Sequence, residues 1–283
     1  MRIIYNNDNN LGSMKPLKKS TKSTTSVALG NFDGLHIAHM SLIRKTKEFK
    51  AFVPCVWTFS EHTSSVLENG PNVPYITSND EKIEILRQEN IDCLIFQDFN
   101  LIRRLLAEEF IDKILIDYLN AQVVVCGFDF KFGYMGLGDA DFLKEKLARK
   151  NIETVVIPPI ICDGEVVSSS LVRMLIENGD MPRAHKFLGR PFSVKLSAVG
   201  LPALCDYVFP AGKVIPASGV YDCTCEIGGE AYKTVANVTK HKQDHSNTAV
   251  ITVETIDETI DIDFDDNLHE RGGIKLNFHE KIK

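Results

Sequence analysis

Two histidines three residues apart, His36 and His39, follow a run rich in turn formers. From Val27 to His39 the chain reads Val-Ala-Leu-Gly-Asn-Phe-Asp-Gly-Leu-His-Ile-Ala-His. Imidazoles at this spacing share one face of a first helical turn and can donate to the same phosphate group. A helix start adds free N–H groups and a partial positive charge, so it attracts anions before any side chain acts. Gly30 and Gly34 allow a ligand to approach the backbone. A βα turn with two surface histidines would show the same spacing, so the chemistry needs other groups to support it.

A second candidate anion cradle begins at Ser168-Ser169-Ser170, three residues ahead of Arg173. One serine is accounted for by capping a helix start. Three serines with an arginine on the first turn suit phosphate oxygens. Between the two cradles lies Gly127-Phe-Asp-Phe-Lys-Phe-Gly133, followed by Gly136 and Gly138. Its three aromatics and repeated glycines suit a ligand-shaped loop, or a βα loop with buried phenylalanines.

The elements that must position these groups alternate along the chain. Strands are expected at Ile3 to Tyr5, Thr24 to Gly30, Phe52 to Phe59, Asp92 to Phe96, Ala121 to Cys126 and Glu153 to Pro158. Helices are expected over 39–50, after the cap at Thr77 to Asp80, over Leu101 to Leu119 and over 139–150, with a helical pair from the serine run to Leu188. Alternating strands and helices give a doubly wound parallel sheet, whose ligands sit at the carboxyl ends of the strands. Both cradles and the aromatic loop follow expected strands, so they converge on that edge. The Lys-rich stretch holding Lys15, Lys18, Lys19 and Lys22 reads as a solvated loop. The tract from Glu68 to Tyr75 reads as a loop long enough to wall a site.

The pattern changes at Gly189-Arg-Pro191. Phe192, Val194 and Leu196 alternate with polar residues, as do Tyr221, Cys223, Cys225 and Ile227. The latter run leads into Gly228-Gly229, a hairpin signal. Ile260, Ile262 and Phe264 continue the alternation, so the acidic run 254–270 reads as the exposed face of strands. The expected organisation is an α/β domain over 1–188 and a small antiparallel β-barrel domain over 189–283.

Composition narrows the function classes. The chain has 283 residues, 44% hydrophobic and 25% charged, with a formal net charge of −6. That balance fits a globular protein and argues against general nucleic-acid binding. Seven cysteines without framework spacing fit free thiols in a reducing cytoplasm. Cys223 and Cys225 read as small core residues. The N-terminus lacks the apolar region of a secretion signal, and no stretch has the length of a membrane span. Small-molecule partners and a cytoplasmic location are expected.

The run Gly-x-Phe-Asp-Gly-x-His-x-x-His resembles the nucleotide-binding signature of the HxGH nucleotidyltransferases. More narrowly, it resembles the adenylyltransferase module of bacterial bifunctional riboflavin kinase/FMN adenylyltransferases, the FAD synthetases. Ala38 stands where that family has glycine. Gly127 to Gly133 is similar to the family's Gly-x-(Asn/Asp)-Phe-x-Phe-Gly motif. The serine run is similar to its Ser-Ser-(Ser/Thr)-x-x-Arg motif, in the expected order and about 130 residues beyond the first. Phe59 and His62 match a Phe-x-Pro-His-Pro-like stretch that borders the flavin, without its prolines.

The resemblance implies a Rossmann-like HxGH-type domain that joins ATP to FMN, giving FAD and pyrophosphate. It assigns His36 and His39 to the ATP phosphates, with His39 favoured for transition-state stabilisation. Gly30, Asn31, Phe32 and Gly34 would shape the nucleotide pocket. Ser169, Ser170 and Arg173 would hold the β- and γ-phosphates, Arg173 counting with the histidines as catalytic. Asp129 would help place ATP and Mg²⁺. Phe59, His62 and Phe130 would border the flavin. A second reading keeps the chemistry with another phosphate acceptor. A third, favoured by Ala38, is a non-catalytic flavin- or nucleotide-binding regulator. The family's kinase motif Gly-x-Pro-Thr-x-Asn has no counterpart between Val199 and Val220, although Gly219-Val220-Tyr221 does match the family and fixes the register. Riboflavin kinase activity is therefore expected to be absent, with Glu254 the nearest carboxylate to a kinase base.

Overall fold

The computed structural model describes residues 1–7, 24–60, 73–198, 206–243, 246–255 and 274–282. His62, the Lys-rich stretch at 15–22, most of the 68–75 tract and the acidic stretch with Ile260, Ile262 and Phe264 lie outside them. The chain divides into two compact units, residues 1–73 with 77–166, and residues 74–76 with 167–283.

The first unit is built on a six-stranded parallel sheet. Its strands are β1 (Arg2–Asn6), β2 (Thr25–Leu29), β3 (Val53–Phe59), β4 (Cys93–Gln97), β5 (Ala121–Gly127) and β6 (Glu153–Ile157). Their order is β1-β4-β3-β2-β5-β6. Every residue of β2 and of β4 is buried, which explains the apolar runs Val27 to Leu29 and Cys93 to Phe96 within them. The order reverses between β2 and β5, so the crevice outside their carboxyl ends is the expected ligand position. Gly30 and Phe128 leave the sheet there.

Helix α1 (Ile37–Thr46) follows β2, and α2 (Asn79–Gln88) precedes β4. Ser78 caps α2 through a capping box: its hydroxyl accepts from Glu81 N, and the Glu81 carboxylate accepts from Ser78 N. One expectation fails here. Leu101 to Leu119 is not one helix but a short turn, Phe99–Ile102, a break, and a widened helix, Phe110–Tyr118, reached through Ala107–Glu109. Two hydrogen bonds account for the break. The Leu105 carbonyl is taken by Tyr134 N at 2.6 Å, and Leu106 N donates to the Glu109 carboxylate at 3.0 Å. Leu106 sits at the break and is 57% exposed.

The second unit contains two helices, Ser169–Asn178 and Met181–Leu188, and a closed six-stranded barrel. The barrel strands are Phe192–Ala198, Asp206–Val208, Gly219–Ile227, Glu230–Gln243, Ser246–Thr255 and Ile274–Lys281. All their pairings are antiparallel. The alternation read from sequence is a burial pattern: Tyr221, Cys223, Cys225 and Ile227 are buried and the residues between them are not. Burial pushes the Cys225 thiol up to about 12 and the Cys223 thiol higher still, as for inert core sulfurs. Gly228 and Gly229 form the two-residue hairpin, with φ of 60° and 91°, which only glycine adopts at little cost. Among the described residues, no helix is long and apolar enough to cross a membrane.

Candidate active site

The turn from Gly30 to His36 leaves β2 at the switch point. Its backbone is unusual: Phe32 has φ 48°, Gly34 φ 85° and Leu35 φ 42°. Left-handed conformations at Phe and Leu are strained, and such strain concentrates at functional sites. Burial holds them, since Phe32 is 1% and Leu35 0% exposed. A side chain at Gly30 would meet the Phe32 ring at 2.9 Å, so the bare backbone makes room for that ring.

Hydrogen bonds lock the turn from below. The Asn31 carbonyl accepts from Thr58 Oγ1 at 2.9 Å and from Lys82 Nζ at 3.4 Å. Asp33, buried, accepts from Thr77 N at 3.1 Å. Burial lowers the pKa of the Lys82 ammonium, and the Asp33 carboxylate opposes that shift. None of Thr58, Asp33, Thr77 and Lys82 stood out as a site residue. One signal was available: Lys82 lies beside Ile83 and one turn before Leu86, the buried apolar residues of α2.

His36 does not lie on the first helical turn, as the spacing suggested. It is the N-cap of α1, extended at φ −68° and ψ 170°, and its Nδ1 accepts from His39 N at 3.3 Å. An accepting Nδ1 leaves the ring proton on Nε2. The two imidazoles stack with centroids 3.5 Å apart and planes 18° from parallel. The Phe32 ring meets His39 edge-on at 5.2 Å. His36 is 3% exposed, and Ala38 is half-buried on the first turn.

Phe59 and Phe130 pack against the same apolar cluster beneath this edge. Phe59 meets Trp57 and Phe99 edge-on, and Phe130 stacks on Phe132 at 5.5 Å. Asp129 is exposed at the exit of β5, where its Oδ1 would sit 3.0 Å from any side chain placed at Gly127. Among the described residues, no group of three or more His, Cys, Asp or Glu side chains could hold a metal by itself. A lone exposed carboxylate suits Mg²⁺ carried mainly by substrate phosphates.

The serine motif belongs to the second unit. Ser168 is the cap, its hydroxyl accepting from Leu171 N at 3.2 Å. Ser169 is half-buried and Ser170 exposed on the first turn. Arg173 is 9% exposed and donates from Nε to the Pro74 carbonyl at 2.7 Å.

Residues 18–171 match the family model described as FAD synthetase. The bifunctional riboflavin kinase/FMN adenylyltransferase of Bacillus subtilis is 30% identical over 236 residues, covering 78% of this chain and 74% of its own. The protein of the same name from Pseudomonas fluorescens is 30% identical over 229 residues, covering 74% and 71%. That of Haemophilus influenzae is 25% identical over 271 residues, covering 91% and 85%. Among solved structures, a macrolide-efflux protein from Streptococcus pneumoniae has a TM-score of 0.82 at 24% identity, over all of this chain and 91% of that one. That last likeness is one of fold alone. With over half of its length under the family model, and with relatives at 30% identity over three quarters of the chain, this protein belongs to the FAD synthetase family.

Proposed function

We propose that this protein is an FMN adenylyltransferase, which transfers AMP from ATP to FMN and releases pyrophosphate. The observation that carries the reading is the strained Gly30–His36 turn. It delivers two stacked imidazoles to a helix N-terminus at the carboxyl edge of a parallel sheet. An FMN phosphate oxygen attacks the α-phosphorus of ATP, and the bond from that phosphorus to the bridging oxygen of pyrophosphate breaks. The nucleophile is already ionised, so no covalent enzyme intermediate and no strong base are needed. The protein must align the two phosphates and stabilise charge moving to the leaving group.

Each site residue then has a role. His36 donates from Nε2 to a phosphate oxygen, and His39 stabilises the transition state. Gly30, Asn31, Phe32 and Gly34 shape the nucleotide pocket, and Phe59, His62 and Phe130 border the flavin. Ser169, Ser170 and Arg173 are phosphate contacts on the strength of their motif. Asp129 helps hold Mg²⁺, which, when bound, neutralises phosphate charge. The barrel unit serves as a scaffold, flavin-binding or dimerising domain without kinase activity, because the Pro-Thr-x-Asn motif is missing from the sequence.

The deciding experiment incubates pure protein with ATP, Mg²⁺ and either FMN or riboflavin, then separates the flavins. FAD from FMN, with riboflavin left untouched, is the expected result. No FAD from FMN would overturn the reading and favour the regulator suggested by Ala38. FMN formed from riboflavin would sink the claim about the barrel unit.

A further inference from the structure

The groups that hold the signature turn lie beneath it. Both donors to the Asn31 carbonyl are buried, Thr58 at 0% and Lys82 at 6% exposure. A buried ammonium is costly, and a side chain of similar length without charge would fill the same space more cheaply. Lys82 stands there with Asp33, itself 2% exposed and held by Thr77 N, whose carboxylate opposes the lowering of the Lys82 pKa by burial. Packing alone does not call for this arrangement.

Peptide geometry gives it a purpose. In a trans peptide the C=O and the next N–H point in opposite directions, and no peptide among the described residues is cis. A carbonyl of Asn31 held inward by Thr58 and Lys82 turns the Phe32 N–H to the other side. Phe32 is also the first left-handed residue of the turn, at φ 48°, with Gly34 and Leu35 beyond it. An unsupported chain would relax from such a conformation.

We propose that Lys82 is a positioning residue for the phosphates of a nucleoside triphosphate. Together with Thr58 it fixes the Asn31–Phe32 peptide plane. The Phe32 N–H then joins the helix-start donors in an anion cradle formed before the ligand arrives. The inference rests on the adenylyltransferase reading only for the identity of the anion. It requires ATP binding and is indifferent to which acceptor receives AMP.

The test is calorimetric titration of the full-length protein with ATP in the absence of flavin, for the wild type, Lys82→Met, Thr58→Val and Glu89→Gln. Glu89→Gln breaks an ion pair at the far end of α2 and controls for lost stability. Lys82→Met should weaken ATP binding about tenfold, equivalent to ~1.4 kcal/mol. Thr58→Val should weaken it in the same direction, and Glu89→Gln should bind as the wild type does. ATP should shift the Phe32 amide resonance in the wild type, and much less in Lys82→Met. In turnover, Lys82→Met should raise KM for ATP with kcat within about twofold, the signature of lost uniform binding. Should Lys82→Met fail to fold, the double variant Lys82→Met/Asp33→Asn replaces both buried ionisable side chains and should fold with the same loss of affinity.

Wild-type ATP affinity in either folded variant, or a Phe32 amide unmoved by ATP in the wild type, overturns the proposal. A wild type that binds ATP but forms no FAD removes the FMN reading alone, and the affinity comparison still decides Lys82. A wild type that binds no ATP overturns both.

Discussion

The His36 and His39 rings stack at 3.5 Å between centroids, and the Nδ1 of the first accepts the backbone N–H of the second. One histidine therefore caps the helix that presents the other. The capping bond needs an unprotonated Nδ1, which leaves the ring proton on Nε2. Two imidazolium rings at this separation would also repel one another.

His39→Ala should lower adenylyl transfer strongly, by roughly 10²-fold or more if the ring acts as a transition-state donor. FMN affinity should change little. Steady-state kinetics and flavin fluorescence titration measure the two quantities separately, and near-normal turnover would refute the assignment.

His36 combines two roles that substitution can separate. His36→Ala should lose both the cap, worth about 1 kcal/mol, and the proposed phosphate donor at Nε2. His36→Asn supplies an accepting oxygen at the cap, and so should recover most of the stability while turnover stays low. Thermal melts beside rate assays check this, and equal recovery of both would argue that His36 is only a cap.

Ala38 puts a methyl group on the half-buried first turn of α1. If it crowds the nucleotide, Ala38→Gly should tighten ATP binding, against a helix-propensity cost of about 1 kcal/mol that is smaller at a first turn. Calorimetry with ATP reads the effect. Unchanged or weaker binding by a folded variant would count against crowding.

Glu89 ties the C-terminal end of α2 to α1. Arg44 bonds its carboxylate at 2.6 Å and 3.1 Å, and Lys47 at 3.1 Å. The Arg44 hydrogen bond foremost, with help from Lys47 and against the effect of burial, lowers the Glu89 carboxyl from 4.5 to about 2. A depressed carboxyl stabilises the fold above its unfolded pKa, and the stabilisation fades as pH falls from 4.5 towards 2. The Arg44 side chain is 61% exposed, so solvent screening holds the gain to about 1 kcal/mol. Urea titrations should find Glu89→Gln less stable than wild type by that amount at neutral pH, with the gap closing near pH 2. A gap independent of pH would show that the ion pair contributes nothing.

Much of this protein is set by short-range pattern. The strands of the sheet, the Ser78 and Ser168 caps, the Gly228-Gly229 hairpin and the change to alternation after Gly189 each depend on neighbours within a few residues. The turn that carries His36 and His39 was legible for the same reason. Its glycines, aspartate and histidines lie together in the chain, and the resemblance to a known signature rests on that proximity.

Other features depend on residues far apart in sequence, and only the folded chain decides them. Leu101 to Leu119 has helical periodicity, but Tyr134 N claims the Leu105 carbonyl and breaks the helix. Arg173 reads as a phosphate ligand from its motif, and the fold adds a bond from its Nε to the Pro74 carbonyl, 99 positions away. Lys82 reads as a polar residue on an amphipathic helix until it is found beneath Asn31, 51 positions away. The reason is common to all three. A backbone carbonyl looks alike in every residue, and its partner is set by which elements the parallel sheet and the barrel bring alongside it.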